Sequence, residues 1–152
     1  MHTHIIAVGK LRPAYRALCD DYLKRLRRYT KIEEREIKEA GREPTASERR
    51  REETARLEAA VPPGALVIAL DLGGAGWSTE ELARRLTQWR DTGTSVALII
   101  GGAFGLDPGF VSRARFRWSL GALTLPHELA RVVVAEQWYR AWTILRGEPY
   151  HK

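Results

Sequence analysis

Residues Ser95–Gly105 read SVALIIGGAFG. The run from Ser95 to Ile100 carries no charge and does not alternate between apolar and polar. Alternation marks a strand with one wet face, whereas a continuous apolar run of this length marks a strand covered on both faces. A second such run, Ala65–Leu70 (ALVIAL), leads into Asp71-Leu72-Gly73-Gly74-Ala75-Gly76, which reads as a loop. Between the two lies a helix signal. Ser78-Thr79-Glu80-Glu81 has the form of a capping box, and Leu82, Leu86 and Trp89 follow at helical spacing before Gly93. Strand, glycine loop, helix, strand predicts an α/β fold: a parallel-rich sheet with helices on both faces.

The pattern continues toward the N-terminus. Ile5–Val8 reads as a short buried strand and Ile32–Lys38 as a weaker one. Between them Pro13 opens a helix whose apolar positions are Tyr15, Leu18, Cys19, Tyr22, Leu26 and Tyr29. Thr45-Ala46-Ser47-Glu48 is another capping box. It starts a helix to about Ala60 whose charges balance, so this helix is expected to be solvated.

Toward the C-terminus, Asp107-Pro108 supplies an N-cap and first-turn pair for a short helix, and Phe116–Leu120 reads as the last strand. A glycine-containing run from Leu120 to Leu125 then meets Pro126. A long helix follows, with Leu129, Val132, Val133, Ala135, Trp138, Tyr139 and Trp142 on more than one face, until Gly147 and Pro149 stop it. So many apolar groups predict cover beyond one sheet face, and hence an isologous dimer through this helix. In parallel sheets ligands bind at the carboxyl ends of the strands. The loops after Leu70, Ile100 and Leu120 are therefore expected to converge.

The chain has 152 residues, enough for one domain spanning 1–152 with a sizeable core. No apolar run reaches the length of a membrane span, and the N-terminus carries no signal-peptide pattern, so a cytoplasmic protein is expected. The single cysteine, Cys19, excludes an intrachain disulfide and reads as core packing. The formal net charge is +6, and the segment Lys10–Lys31 holds eight basic residues against Asp20 and Asp21. Such a face suits a polyanion, nucleic acid first among them, or is simply a solvated helix face.

Several chemistries are excluded by pattern. The dinucleotide fingerprint is absent, because Gly101-Gly102-x-x-Gly105 has the wrong spacing and follows a late strand. There is no phosphate-loop motif and no nucleophile-elbow serine. His2, His4, His127 and His151 show no paired ligand spacing, so no metal site is expected. His127 follows Pro126 at a helix start. It is either a capping histidine or an acid–base group at the mouth of the glycine loops. Trp138 and Trp142 read as core or subunit interface, not as base-stacking platforms.

Val96–Gly105 (VALIIGGAFG), Trp118–Leu125, the Leu125-Pro126-His127 step, Tyr139-Arg140-Ala141-Trp142 and Arg146–Lys152 (RGEPYHK) together closely resemble the ribosomal RNA large subunit methyltransferase H family, small bacterial proteins of the SPOUT class. The resemblance covers essentially the whole chain, including Ile5–Gly9. Only Arg42–Ala60, which is generic, and the glycine-rich Gly73–Gly76 depart from it.

The resemblance implies an S-adenosyl-L-methionine-dependent methyltransferase acting on N3 of a pseudouridine in 23S ribosomal RNA within the ribosome. It also implies a C-terminal trefoil knot, which pattern reading would not propose, and a homodimer with the cofactor pocket beside the interface. Carried over by position, the cofactor contacts are Leu70, Gly101, Leu120, Gly121, Ala122, Leu123, Thr124 and Leu125. A sulfonium methyl is already electrophilic, so the protein's tasks are alignment and handling of the imino proton. His127 is the candidate base or orienter, and Arg131 a candidate partner for a phosphate or ring carbonyl. Tyr150 and His151 are candidates to complete the site, from the same or the other subunit. Two rival readings are a non-catalytic RNA-binding module of α/β fold and a nucleotide-dependent oxidoreductase.

Overall fold

The computed structural model describes all residues from 1 to 152. The elements run β1 (His2–Val8), α1 (Pro13–Leu26), β2 (Lys31–Ile37), α2 (Ala46–Ala60), β3 (Leu66–Ala75), α3 (Thr79–Asp91), β4 (Val96–Ile100), α4 (Pro108–Arg113), β5 (Phe116–Trp118) and α5 (His127–Leu145). The expected elements are all present, and the capping signals act as read. Thr45, Ser78 and Asp107 each accept a backbone N–H from the first turn of their helix.

The strands form one parallel sheet in the order β2–β1–β4–β3–β5. The connections β1→β2 and β3→β4 step one way across it, and β2→β3 and β4→β5 step the other. Right-handed crossovers then put α1 and α3 on one face and α2 and α4 on the other. The two cores follow this division. Cys19, Leu23 and Leu26 of α1, Leu82, Leu86 and Trp89 of α3 and most buried residues of α5 share one core. Leu57 and Ala60 of α2 share the second with Phe110 and Val111 of α4. Along β4, Val96, Leu98 and Ile100 enter the first core, and Ala97 and Ile99 the second. That is why this strand has no polar side.

Four expectations are corrected. On α1, Leu18 is exposed and Leu23 is buried, so the buried face is rotated from the expected series. α2 is not merely solvated, because Glu53, Thr54, Leu57 and Ala60 are buried. The expected loop Asp71–Gly76 is largely strand: β3 continues to Ala75, meeting Trp118 of β5 once at Leu70 and again at Ala75, with a register shift between. Gly74 permits this. A Cβ there would lie 2.6 Å from the carbonyl of Arg117. Finally, the apolar surplus on α5 is smaller than expected: Val132, Trp138 and Trp142 are buried within the single chain, covered by α1 and α3, and Val133 is half-buried.

The start of α5 is tied to the carboxyl end of β1 by charge. Arg131 is 1% exposed. Its Nη1 donates to Glu36 at 2.5 Å and Glu34 at 3.1 Å, and its Nη2 donates to the carbonyls of Val8 and Gly9 at 3.1 and 2.9 Å. Arg16 of α1 binds both glutamates from outside. Three residues before Arg131, Glu128 accepts the Arg12 backbone N–H at 2.7 Å and its guanidinium at 2.9 Å. The Arg12 N–H and guanidinium hold the Glu128 carboxyl below the usual carboxylate range.

Removing one member of a buried network strands the others without partners, at a cost of about 3–5 kcal/mol. Arg131→Met keeps most of the volume and drops the charge. It is expected to lower stability by that amount in urea denaturation at neutral pH. A loss below about 1 kcal/mol, the range of an exposed pair, would mean that Arg16 alone satisfies the glutamates.

Candidate functional site

β3 and β4 are neighbours whose following helices pass to opposite faces of the sheet. Their outgoing loops therefore diverge and leave a crevice at their carboxyl ends. An open cleft lies there. Leu70, Asp71 and Leu72 come from β3, Ile100 from the end of β4 and Gly101, Gly102 and Gly105 from the loop after it, Trp118 from the end of β5, and Leu120, Gly121, Leu123, Thr124 and Leu125 from the segment that follows. His127 and Ala130 close it from the first turn of α5.

The β4 loop is folded tightly on itself. Gly102 and Gly105 form an isolated antiparallel bridge, and a Cβ on Gly101 would lie 2.7 Å from the backbone of Gly105. Only glycine lets the two strands of this turn pass so closely. The loop is braced from α2. The Thr54 hydroxyl accepts the Asp107 N–H at 2.9 Å, and the Glu53 carboxylate packs behind Gly102 while accepting the Ala40 N–H at 3.1 Å. Burial pushes the Glu53 carboxyl up, against the pull of the Ala40 N–H.

The opposite wall is the segment Leu120–Leu125. None of the N–H or C=O groups of Ala122, Leu123, Thr124 and Leu125 has a hydrogen-bond partner in the chain. Groups of this kind need water or a ligand. Apolar side chains around them, Leu70, Leu72, Ile100, Trp118, Leu120, Leu123 and Leu125, give the cleft its other character. Leu72 and Leu123 are 57% and 80% exposed, an uncommon position for leucine unless something covers it.

Seven of the eight candidate cofactor residues line the cleft: Leu70, Gly101, Leu120, Gly121, Leu123, Thr124 and Leu125. Ala122 is exposed beside it without lining it. Sequence reasoning missed Asp71, Leu72, Ile100, Gly102, Gly105, Trp118 and Ala130. All lie within a few residues of a strand end or helix start, and Ile100, Gly102, Gly105 and Trp118 fall inside the stretches that carry the family resemblance.

The four candidate catalytic residues are not brought together in one chain. His127 is half-buried on the cleft. Arg131 is one turn on, but its guanidinium is held by Glu34, Glu36 and two carbonyls, and it does not line the cleft. The chain turns back after α5, so Tyr150 and His151 lie against its middle, at Glu136, Tyr139 and Arg140, which begin nine residues and roughly 14 Å along the helix from His127. Tyr150 donates to Glu136 at 2.9 Å and packs edge-on against Tyr139. Burial and the Glu136 carboxylate raise its hydroxyl above the usual tyrosine range. His151 takes an Arg140 N–H at Nδ1 and faces Glu80 with Nε2 at 3.0 Å, which assigns the proton to Nε2.

The basic segment is likewise partly spent. Arg12, Arg16 and Arg25 are engaged by carboxylates, while Lys10, Lys24, Arg27, Arg28 and Lys31 carry no salt bridge. No helix is long and apolar enough to cross a membrane.

Comparison with known proteins agrees with this geometry. The family model described as "Predicted SPOUT methyltransferase" matches residues 1–151. A ribosomal RNA large subunit methyltransferase H of Burkholderia thailandensis is 45% identical over 155 residues, spanning 100% of this chain and 99% of that protein. One from Burkholderia mallei is 44% identical with the same coverage. Among solved structures, a probable methyltransferase from Bordetella pertussis shares the fold with a TM-score of 0.59 at 18% identity, covering 93% of this chain and 96% of that one. TrmJ from Z. mobilis does so at 0.53 and 15%, covering 93% and 70%. A glycine-braced cleft at the crossover point of a parallel sheet, matched along the whole chain by these relatives, places the protein in the ribosomal RNA large subunit methyltransferase H family of the SPOUT methyltransferase class.

Proposed function

We propose that this protein transfers the methyl group of S-adenosyl-L-methionine to N3 of a pseudouridine in 23S ribosomal RNA. In this reading it is a cytoplasmic homodimer working on the assembled large subunit. The observation that carries the reading is the segment Leu123–Leu125, which lines an apolar cleft and whose backbone groups have no partner in the chain. Such a wall suits a ligand with a flat heterocycle and a charged tail. Backbone donors and acceptors fix its edges, and leucines cover its faces. The relatives' names supply the substrate class.

The cofactor, when bound, supplies an activated methyl group on a sulfonium. Gly101, Gly102 and the Leu120–Leu125 segment hold and orient it, and Leu72 and Leu123 shield it from water. His127, on the rim, accepts the imino proton of the base or holds the ring so that its nitrogen points in line with the methyl. Arg131 acts as a positioning residue, fixing the first turns of α5 and with them His127.

Tyr150 and His151 reach an active site only from a partner subunit, by leaving the Glu136, Arg140 and Glu80 contacts or by presenting them together at the partner's cleft. The trefoil knot belongs to the same reading. Its support is that Leu120–Leu125 returns to the cleft between the β3 and β4 loops before α5 begins. The free cations of the Lys10–Lys31 segment serve for docking on phosphates, which positions an enzyme without reading sequence.

Gly101→Ala forces the Gly105 turn outward, and overpacking of this kind costs about 1–3 kcal/mol. Calorimetry is expected to give S-adenosyl-L-methionine affinity reduced at least about tenfold, with an unchanged circular dichroism spectrum. Unchanged affinity would remove the loop from the site. If even the wild type binds RNA but not the cofactor, the non-catalytic RNA-binding module is the correct reading.

Labelled methyl incorporation is expected to be robust on ribosomes lacking this methyl group, weak on free ribosomal RNA or a hairpin oligonucleotide, and weaker everywhere as salt rises. Equal rates on oligonucleotide and ribosome would show that the protein reads the hairpin itself.

His127→Ala and a chain truncated before Tyr150 are each expected to be inactive and to regain activity when mixed. A mixed dimer holds one intact composite site. Light scattering that gives a monomer, or failure of the mixture to recover, would rule out a shared site.

A further inference from the structure

At the end of the sheet opposite the cleft, β1 opens with His2 and His4. Strand alternation puts both imidazoles on one face. The parallel register places Glu33 of the edge strand β2 directly beside His4. The two rings lie with centroids 3.9 Å apart. One carboxylate oxygen, Glu33 Oε2, is 3.3 Å from His2 Nε2 and 3.7 Å from His4 Nδ1. All three donor atoms fall within 4.8 Å of one another. Neither contact has hydrogen-bond geometry, and His2 Nε2 is enclosed without any partner. A buried imidazole nitrogen left so is costly, and structures normally satisfy it.

We infer that His2, His4 and Glu33 form a binding site for a zinc-class divalent cation. A zinc ion bonds imidazole nitrogen and carboxylate oxygen at about 2.0–2.2 Å, which sets donor–donor edges of about 3.4 Å in a tetrahedron. The two edges to Glu33, 3.3 and 3.7 Å, bracket that value, and the edge between the two imidazole nitrogens is within 4.8 Å. Glu33 is 57% exposed and is free to make the small adjustment required. Two nitrogens and one carboxylate oxygen suit zinc over the harder calcium and magnesium. A fourth ligand would be water, as at zinc sites with three protein donors.

The charged neighbours do not oppose the assignment. Burial first, then His2 and Lys31, hold the His4 imidazole below its ordinary value against the pull of Glu33. The bound ion would clip β1 to β2, whose outer edge has no neighbouring strand. This site is separate from the cleft and does not depend on the proposed methyl transfer. It also overturns the expectation of no paired histidine spacing. An i, i+2 pair is a ligand pair only on a strand, and the third donor belongs to a different strand.

The test uses full-length protein freed of any affinity tag and of metal by chelation, titrated with zinc chloride in a calorimeter. Wild type is expected to bind one ion per chain and to melt at a higher temperature as zinc is added. His4→Gln and Glu33→Gln are each expected to weaken binding at least about 100-fold, the upper end of what loss of a mere supporting group costs. Each is also expected to abolish the zinc-dependent shift while melting like wild type without zinc. If His4→Gln does not fold, the exposed Glu33→Gln decides. No heat with wild type up to millimolar zinc overturns the site, as does binding that survives Glu33→Gln unchanged.

Discussion

The architecture turns on one buried cation. Arg131 sits where the carboxyl end of β1, two glutamates of β2 and the first turns of α5 meet, and it satisfies all of them at once. The Val8 and Gly9 carbonyls lie at the top of β1, where the sheet runs out of strand partners, and need a donor. Glu34 and Glu36 project from one side of an edge strand and would repel each other without a shared cation. A guanidinium meets these demands because its donors are fixed in a plane and its charge is permanent. The result is rigid placement of α5. Its first residue, His127, therefore stands at the rim of the cleft and does not drift with the loop before it.

The cleft itself is a consequence of strand order. Once β3 and β4 are adjacent and their helices go to opposite faces, the crevice is unavoidable, and the chain has only to line it. It does so with backbone. The Gly101–Gly105 turn closes on itself at distances that admit no side chain, and the Ala122–Leu125 segment offers polar groups that no secondary structure uses. Backbone recognition demands that the segments be held, and each is held from a distance. α2 braces the first through Thr54 and Glu53. Ser119 bridges to Gly121 at the entry to the second.

Charge is distributed with similar economy. Part of the basic surplus at the start of α1 serves the fold, Arg12 binding Glu128 and Arg16 binding Glu34 and Glu36. What remains outward is a short set of lysines and arginines, enough to approach a polyanion but too few and too flexible to select a sequence. The two ends of the sheet thus differ in kind. The carboxyl ends of the strands present backbone and leucine, and the amino ends present imidazole and carboxylate.

The sequence by itself determined the element order, the parallel sheet and the helix starts. These rest on local physics: apolar runs, capping side chains and proline act over a few residues. It also marked most of the cleft, because strand ends followed by glycine are visible in one dimension. It did not determine which face of α1 is buried, that α2 packs inward through Glu53 and Thr54, or that β3 runs on past its glycines to Ala75. Each depends on what a neighbour offers across the fold. The role of Arg131 shows the difference most clearly. Read along the chain it stands one turn from His127 and resembles a ligand-binding arginine. In three dimensions the glutamates of β2 and the carbonyls of β1 reach it first, and only the tertiary structure decides that competition.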